Sequence, residues 1–351
     1  MPAVKPEILV WARQTAGLTR EQAAQKLIRD ARGVAALNRL AAYEEGQDEV
    51  SRPTLVKMAK LYHRPLLTFH MSAPPHRGDR GEDYRTLSVR HTDSEPLVDA
   101  LVRDIRARQS MVRSVLEDEE EGESLKFINS LSMANGVGSV LSSIRQALDI
   151  DLVTFRTQGS AEAAFALLQS KIKRMGVFVL LIGPLGSHHT AVDVTAFRGF
   201  ALADKFAPFI VINDGDAKVA WSFTLIHELT HLWIGKTGVS GGIPEDNVER
   251  FCNDVASQFL LPGNELPLVG VNRHTEKDEA MRSITAFAEE RFLSRSLVTY
   301  RLFRAETLSE TMWRDLTNHF HREWLGRRAI QRARSMARMM GQTTVWFAVI
   351  V

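Results

Sequence analysis

The stretch His227-Glu228-Leu229-Thr230-His231 constrains this chain more than any other, because it sits in an apolar run from Phe223 to Trp233 with no proline or glycine before Gly235. Such a run predicts a helix. Residues four apart on a helix share a face, so His227 and His231 can grip one metal ion. Glu228 then stands beside the ion without binding it, placed to take a proton from a water the ion holds. A five-residue H-E-x-x-H pattern is short, and a helix carrying two partly buried histidines and a solvated Glu would show it too. The flanks favour the metal. Ile226, Leu229, Leu232 and Trp233 make the helix apolar nearly all round, which predicts burial, and a Glu is almost never buried without a partner.

Catalytic zinc usually takes three protein ligands and leaves a fourth position for water, so a further His, Glu or Asp is needed downstream. After a glycine-rich turn (Gly235 to Gly242), Pro244 suits the first turn of a second helix, which runs on to Leu261 and stops at Pro262. Glu249, Cys252, Asn253, Ala256 and Leu260 follow the spacing of one face of it. The small residues there would let this face lie close to the first helix and bring Glu249 to the ion, with Asn253 one turn on, able to bond a ligand from behind. The alternative for Glu249 is an ordinary early-helix carboxylate facing the helix dipole. Cys252, the single cysteine, reads as a small buried apolar residue rather than a ligand, and a disulfide framework is excluded.

These residues resemble the ImmA/IrrE family of zinc metallopeptidases. Glu249, Asn253, Ala256, Leu260 and Pro262 match the family pattern E-x-x-x-N-x-x-A-x-x-L-L-x-P, with Phe259 where Leu is common. The segments Ala207 to Asn213 and Phe197-Arg198-Gly199-Phe200 resemble others of its segments, so the likeness covers most of residues 160–310. It implies a Zn2+ site of His227, His231 and Glu249, with Glu228 as the catalytic base. It also implies a narrow protein substrate, typically a DNA-binding repressor cleaved in a stress response, a mobile element or a toxin–antitoxin setting.

At 351 residues the chain is long enough for two or three domains, and 44 Lys+Arg against 42 Asp+Glu give no global signal for a polyanion. Residues 1–70 read as short helices, one opened by the capping pattern Thr19-Arg20-Glu21-Gln22. Together they resemble a lambda-repressor-like helix-turn-helix domain, in which the helix after the turn enters the major groove of double-stranded DNA. Asn38 and Arg39 are then candidate base readers, and Arg20, Lys26, Arg29 and Arg32 candidate phosphate contacts. The segment from Ile28 to Leu37 is longer than the usual tight turn. The alternative is a solvated basic face on a module that binds protein, and degenerate copies of this domain can serve homodimerisation alone.

Residues 71–124 read as a linker and helical connector. The peptidase-like part is 125–310, mostly helical at first, with strands expected at Val177 to Ile182, Val192 to Phe200 and Phe209 to Ile212. Phe209 to Asn213 is the candidate edge strand for an extended substrate, an ordinary core strand being the alternative. Tyr300 and Arg301 are candidate oxyanion stabilisers, with surface or packing roles as the alternative. Residues 311–351 form a basic helical tail (Arg322, Arg327, Arg328, Arg332, Arg334, Arg338) ending in an apolar run from Val345, expected to pair as a strand or dock on a neighbour. No apolar run approaches membrane-spanning length and Met1 to Lys5 carry no signal-peptide core, so a cytoplasmic protein is expected. The fold class is α+β multidomain: an all-α bundle, then a zincin-like domain with a small sheet and helices behind it. The competing reading of function is a non-proteolytic DNA-binding regulator or antitoxin with a zinc or effector-sensing site.

Overall fold

A computed structural model describes residues 4–28, 33–74, 95–118, 122–183, 192–235, 238–240 and 247–347. The helices are α1 (Pro6–Thr15), α2 (Arg20–Leu27), α3 (Val34–Glu44), α4 (Arg52–Leu61), α5 (Glu95–Asp118), α6 (Gly136–Leu148), α7 (Leu152–Arg156), α8 (Ala161–Arg174), α9 (Lys218–Trp233), α10 (Asn247–Leu260), α11 (Lys277–Glu290), α12 (Arg295–Arg304) and α13 (Glu310–Phe347). The strands are β1 (Phe178–Leu181), β2 (Gly199–Leu202), β3 (Phe209–Ile212) and β4 (Gly238–Ser240). Helices followed by a small sheet among helices make this an α+β chain. No described helix is long and apolar enough to cross a membrane.

The first four helices and a 3-10 turn at Leu66–His70 enclose their own core, built on Ile8, Leu40, Met58 and Phe69. Thr19 caps α2 as its sequence predicts: it accepts from the Gln22 amide, and Gln22 accepts from the Thr19 amide. Across this core, Arg13 on α1 donates to both carboxylate oxygens of Glu44 on α3, at 2.6 and 3.0 Å. Arg20 also donates to Glu44 at 3.0 Å and to Glu45 at 3.4 Å. A buried carboxylate is tolerated here because two guanidinium groups satisfy it.

The sheet has the order β1-β3-β2-β4, with β1 and β3 parallel and the other pairs antiparallel. Two expectations are corrected. Residues 192–198 form a turn-rich loop, not a strand, and β2 starts at Gly199. Phe209–Ile212 is an inner strand, hydrogen-bonded on both sides, so it cannot serve as the substrate edge; β4, beside β2, lies at the edge. Strand alternation sends Phe209 and Val211 into a core with Val98, Leu101, Val102 and Ile105 of α5, while Ile210 and Ile212 enter the large core with α8 and α9. Helices on both faces explain why these strands read as continuous apolar runs. The helix of the expected connector is thus the outer layer of the sheet.

The tail is helical through Phe347, so residues 345–347 are not a strand. The side chains of Arg332, Arg334 and Arg338 lie outside what the structure describes, as do residues 348–351.

Candidate metal centre

Helix α9 is buried because its sequence is apolar on every face: Leu225, Ile226, Leu229, Leu232 and Trp233 are fully enclosed. Its C-terminal end is held twice over. The amides of Asn129 and Leu131 donate to the carbonyls of Leu232 and Trp233, at 3.0 and 3.3 Å, satisfying groups that a helix end leaves without intrahelical partners. Gly235 ends the helix at φ +68°, a left-handed conformation that glycine adopts without Cβ strain. Trp233 stacks on Phe127 with ring centroids 4.5 Å apart and donates to Ser143 at 3.0 Å.

On this fixed helix the Nε2 atoms of His227 and His231 stand 3.1 Å apart. Glu249, in the first turn of α10, closes the triangle: its two carboxylate oxygens lie 3.3 Å from His227 Nε2 and 3.2 Å from His231 Nε2. Three donor groups from two helices therefore converge on one point. A tetrahedral ion with bonds of about 2.0–2.2 Å sets its ligands roughly 3.3–3.6 Å apart, so the triangle fits such an ion with little change. Asn253, one turn after Glu249, hydrogen-bonds the side chain of His227. Glu228 lies fully buried on the same helix, next to the cluster.

The electrostatics follow from this crowding. Burial pushes the His227 imidazole down, but Glu249, Glu228 and Asn253 outweigh it and hold its pKa above the ordinary value. Burial pushes Glu249 up, yet its bonds to His227 and His231 prevail and hold its carboxyl well below the usual range. Without metal the two shifts describe an ion pair of protonated His227 and ionised Glu249, and a metal ion would have to take the proton's place.

Residues 173–310 match one family model. It is that of Peptidase M78, the IrrE N-terminal-like domain. The matched stretch holds the whole sheet, α9, α10 and every residue of the cluster, and it supports a metallopeptidase of the IrrE type for this part of the chain. No curated protein and no solved structure matches the chain.

Tyr300 and Arg301 are committed elsewhere. Tyr300 donates to Asp254 at 2.7 Å, which Arg304 also grips at 2.6 and 2.9 Å, and Arg301 donates to the carbonyl of Leu261 at 3.0 Å. With Arg145 on the carbonyl of Gln258 and Arg156 on that of Leu260, Arg301 completes three arginines gripping the C-terminal end of α10. Cations suit a helix C-terminus, and these hold in place the helix that carries Glu249. Sequence spacing gives no sign of this, since the three come from distant segments. Among the candidate DNA contacts, Lys26, Asn38 and Arg39 are exposed on α2 and α3, Arg39 donating to the Tyr43 hydroxyl at 3.1 Å, while Arg20 is engaged by Glu44 and Glu45. Arg29 and Arg32 lie outside the described residues.

Two residues behind the centre carry roles that motif reading missed. Asn213, fully buried, donates to the carbonyls of Val192 and Phe197 at 3.1 Å each and so pins the loop leading into β2. Gly199, the first residue of β2, lies against Glu228. Both fall in the segments carrying the family likeness, which was the available signal.

Proposed function

We propose that this chain is a zinc-dependent endopeptidase of the ImmA/IrrE type with a DNA-binding module. In this reading residues 125–310 are a zincin-like peptidase domain, 1–70 a helix-turn-helix domain, 71–124 their connector and 311–351 a basic tail. The observation that carries it is the Glu249 carboxylate set against both histidines, with Glu228 buried beside them.

His227, His231 and Glu249 would hold Zn2+. When bound, zinc polarises a carbonyl and draws the pKa of a coordinated water from about 15.7 toward about 7. Glu228 takes the water's proton on its carboxylate and hands it to the leaving amine. The buried setting of Glu228 keeps bulk water away from its carboxylate. Asn253 fixes the ring of His227, and the arginine-gripped α10 fixes Glu249. An extended substrate adds along the sheet edge at β4 by main-chain hydrogen bonds. The substrate is a DNA-binding repressor, as the family likeness implies, and the N-terminal module places the enzyme on double-stranded DNA, as a cytoplasmic homodimer.

The test compares cells expressing the wild type with cells expressing Glu228→Gln, reading new protein N-termini by mass spectrometry and zinc content on both purified proteins. Fragments that appear only with wild type, at equal zinc, support the peptidase and name its target. The exposed Lys26, Asn38 and Arg39 favour a second reading, a non-proteolytic DNA-binding regulator with a zinc or effector-sensing site. Bound zinc with no Glu228-dependent fragment, at rest and under stress, decides for it.

A further inference from the structure

Cys252 stands at the centre without a part in the proposed hydrolysis. One ring nitrogen of each of His227 and His231 and the Sγ of Cys252 all lie within 4.8 Å of one another, and all three residues are buried. The cause is helical spacing. Cys252 follows Glu249 by three positions and precedes Asn253 by one, so α10 turns all three toward α9. Cys252 is the single cysteine of the chain, which leaves it no intrachain disulfide.

The donor chemistry points the same way. Thiolate and imidazole are the usual ligands of structural zinc, with Zn–N of about 2.0–2.1 Å and Zn–S of about 2.3 Å. Tetrahedral geometry then sets sulfur and nitrogen roughly 3.6 Å apart, so from a separation within 4.8 Å the Sγ has to close by no more than about 1.2 Å. Sites with four protein donors are closed and structural; sites with three keep a position for water. His227, His231 and Glu249 make three, and Cys252 is a further potential donor grouped with the same two histidines.

We infer that in the metal-loaded chain the Cys252 thiolate is a fourth protein donor, holding the site closed at rest, and that its release admits water and switches the peptidase on. This rests on the zinc site proposed for His227, His231 and Glu249. On closure the Sγ–H bond breaks, its proton passes to solvent and a sulfur lone pair goes to the ion; on release sulfur takes a proton back. Cys252 is buried, as its sequence reading has it, and the inference adds a ligand role to that packing.

The test uses the purified full chain, as wild type, Cys252→Ala and Cys252→Ser, each loaded with zinc and, separately, with cobalt. X-ray absorption at the zinc edge should show a sulfur shell at about 2.3 Å in the wild type and only nitrogen and oxygen scatterers in both variants. Cobalt should give a sulfur-to-metal charge-transfer band in the near ultraviolet with the wild type alone. The serine variant keeps the side chain's size, so a folding defect in the alanine variant does not decide the matter. A wild type that binds metal with no sulfur shell and no such band overturns the inference and leaves the metal site standing. A wild type that binds no metal overturns both.

Discussion

Gly199 on β2 and Glu228 on α9 are in direct apposition: a Cβ at position 199 would come within 2.9 Å of Glu228 Oε1 and 2.6 Å of the Thr224 methyl. The strand can approach the helix this closely only because residue 199 has no side chain, and the approach walls in the carboxylate.

Gly199→Ala should therefore act on Glu228 rather than on the sheet as a whole. Overpacking of a tight core costs about 1–3 kcal/mol, which thermal unfolding will register as a moderate loss. Peptidase turnover should fall further than that loss explains, with metal content unchanged. Wild-type turnover in a folded Gly199→Ala protein would remove Glu228's confinement from the mechanism.

Asn253→Ala deletes the hydrogen bond to His227 while leaving His227, His231 and Glu249 in place. Loss of such a supporting partner typically costs 10–100-fold in metal affinity or activity. Competition against a chromophoric chelator will measure it, and an unchanged affinity would mean that Asn253 only packs.

The pH dependence of the protein kept in chelator has a definite sign. His227 is raised in the folded chain, so its stabilisation is present below the unfolded imidazole pKa and disappears as pH rises through the folded value. Glu249 is depressed, so its stabilisation is present above the unfolded carboxylate pKa and disappears as pH falls through the folded value. Thermal stability should thus peak between the usual carboxylate and imidazole ranges and decline on the alkaline side. Adding zinc should remove the alkaline decline, because the metal replaces the proton.

In the N-terminal bundle, Arg13→Ala leaves the buried Glu44 with Arg20 as its cation partner among the described residues. Because Arg20 still pairs with Glu44, the loss should stay below the about 3–5 kcal/mol of a fully broken buried pair. The double change Arg13→Met with Glu44→Leu should cost much less, since no charge is then stranded. Chemical denaturation of both variants provides the comparison.

DNA binding, if it belongs to α2 and α3, should separate Arg39 from Arg20. Arg39→Ala should weaken binding and, if it meets a phosphate, lower the salt slope by about 0.9 for that phosphate. Arg20→Ala should instead lower stability, its guanidinium being held by Glu44 and Glu45. Binding unaffected by Arg39→Ala would move the interface off α3.

The sequence by itself determined the elements whose cause is local. His227, Glu228 and His231 are close in the chain, and an apolar run with one glycine stop dictates their helix. Glu249 and Asn253 were legible because one helical turn separates them, and β1 and β3 because short runs of Val, Ile, Leu and Phe bounded by turns form strands. Tertiary structure alone decided the rest. Whether Phe209–Ile212 lay inside or at an edge depended on which strands hydrogen-bond beside it, and those start at residues 178 and 199. The grip of Arg145, Arg156 and Arg301 on α10, the wall that Gly199 makes for Glu228, and the place of Cys252 beside two histidines all join segments far apart in the chain. Periodicity records which face of a helix is buried, but not what it is buried against.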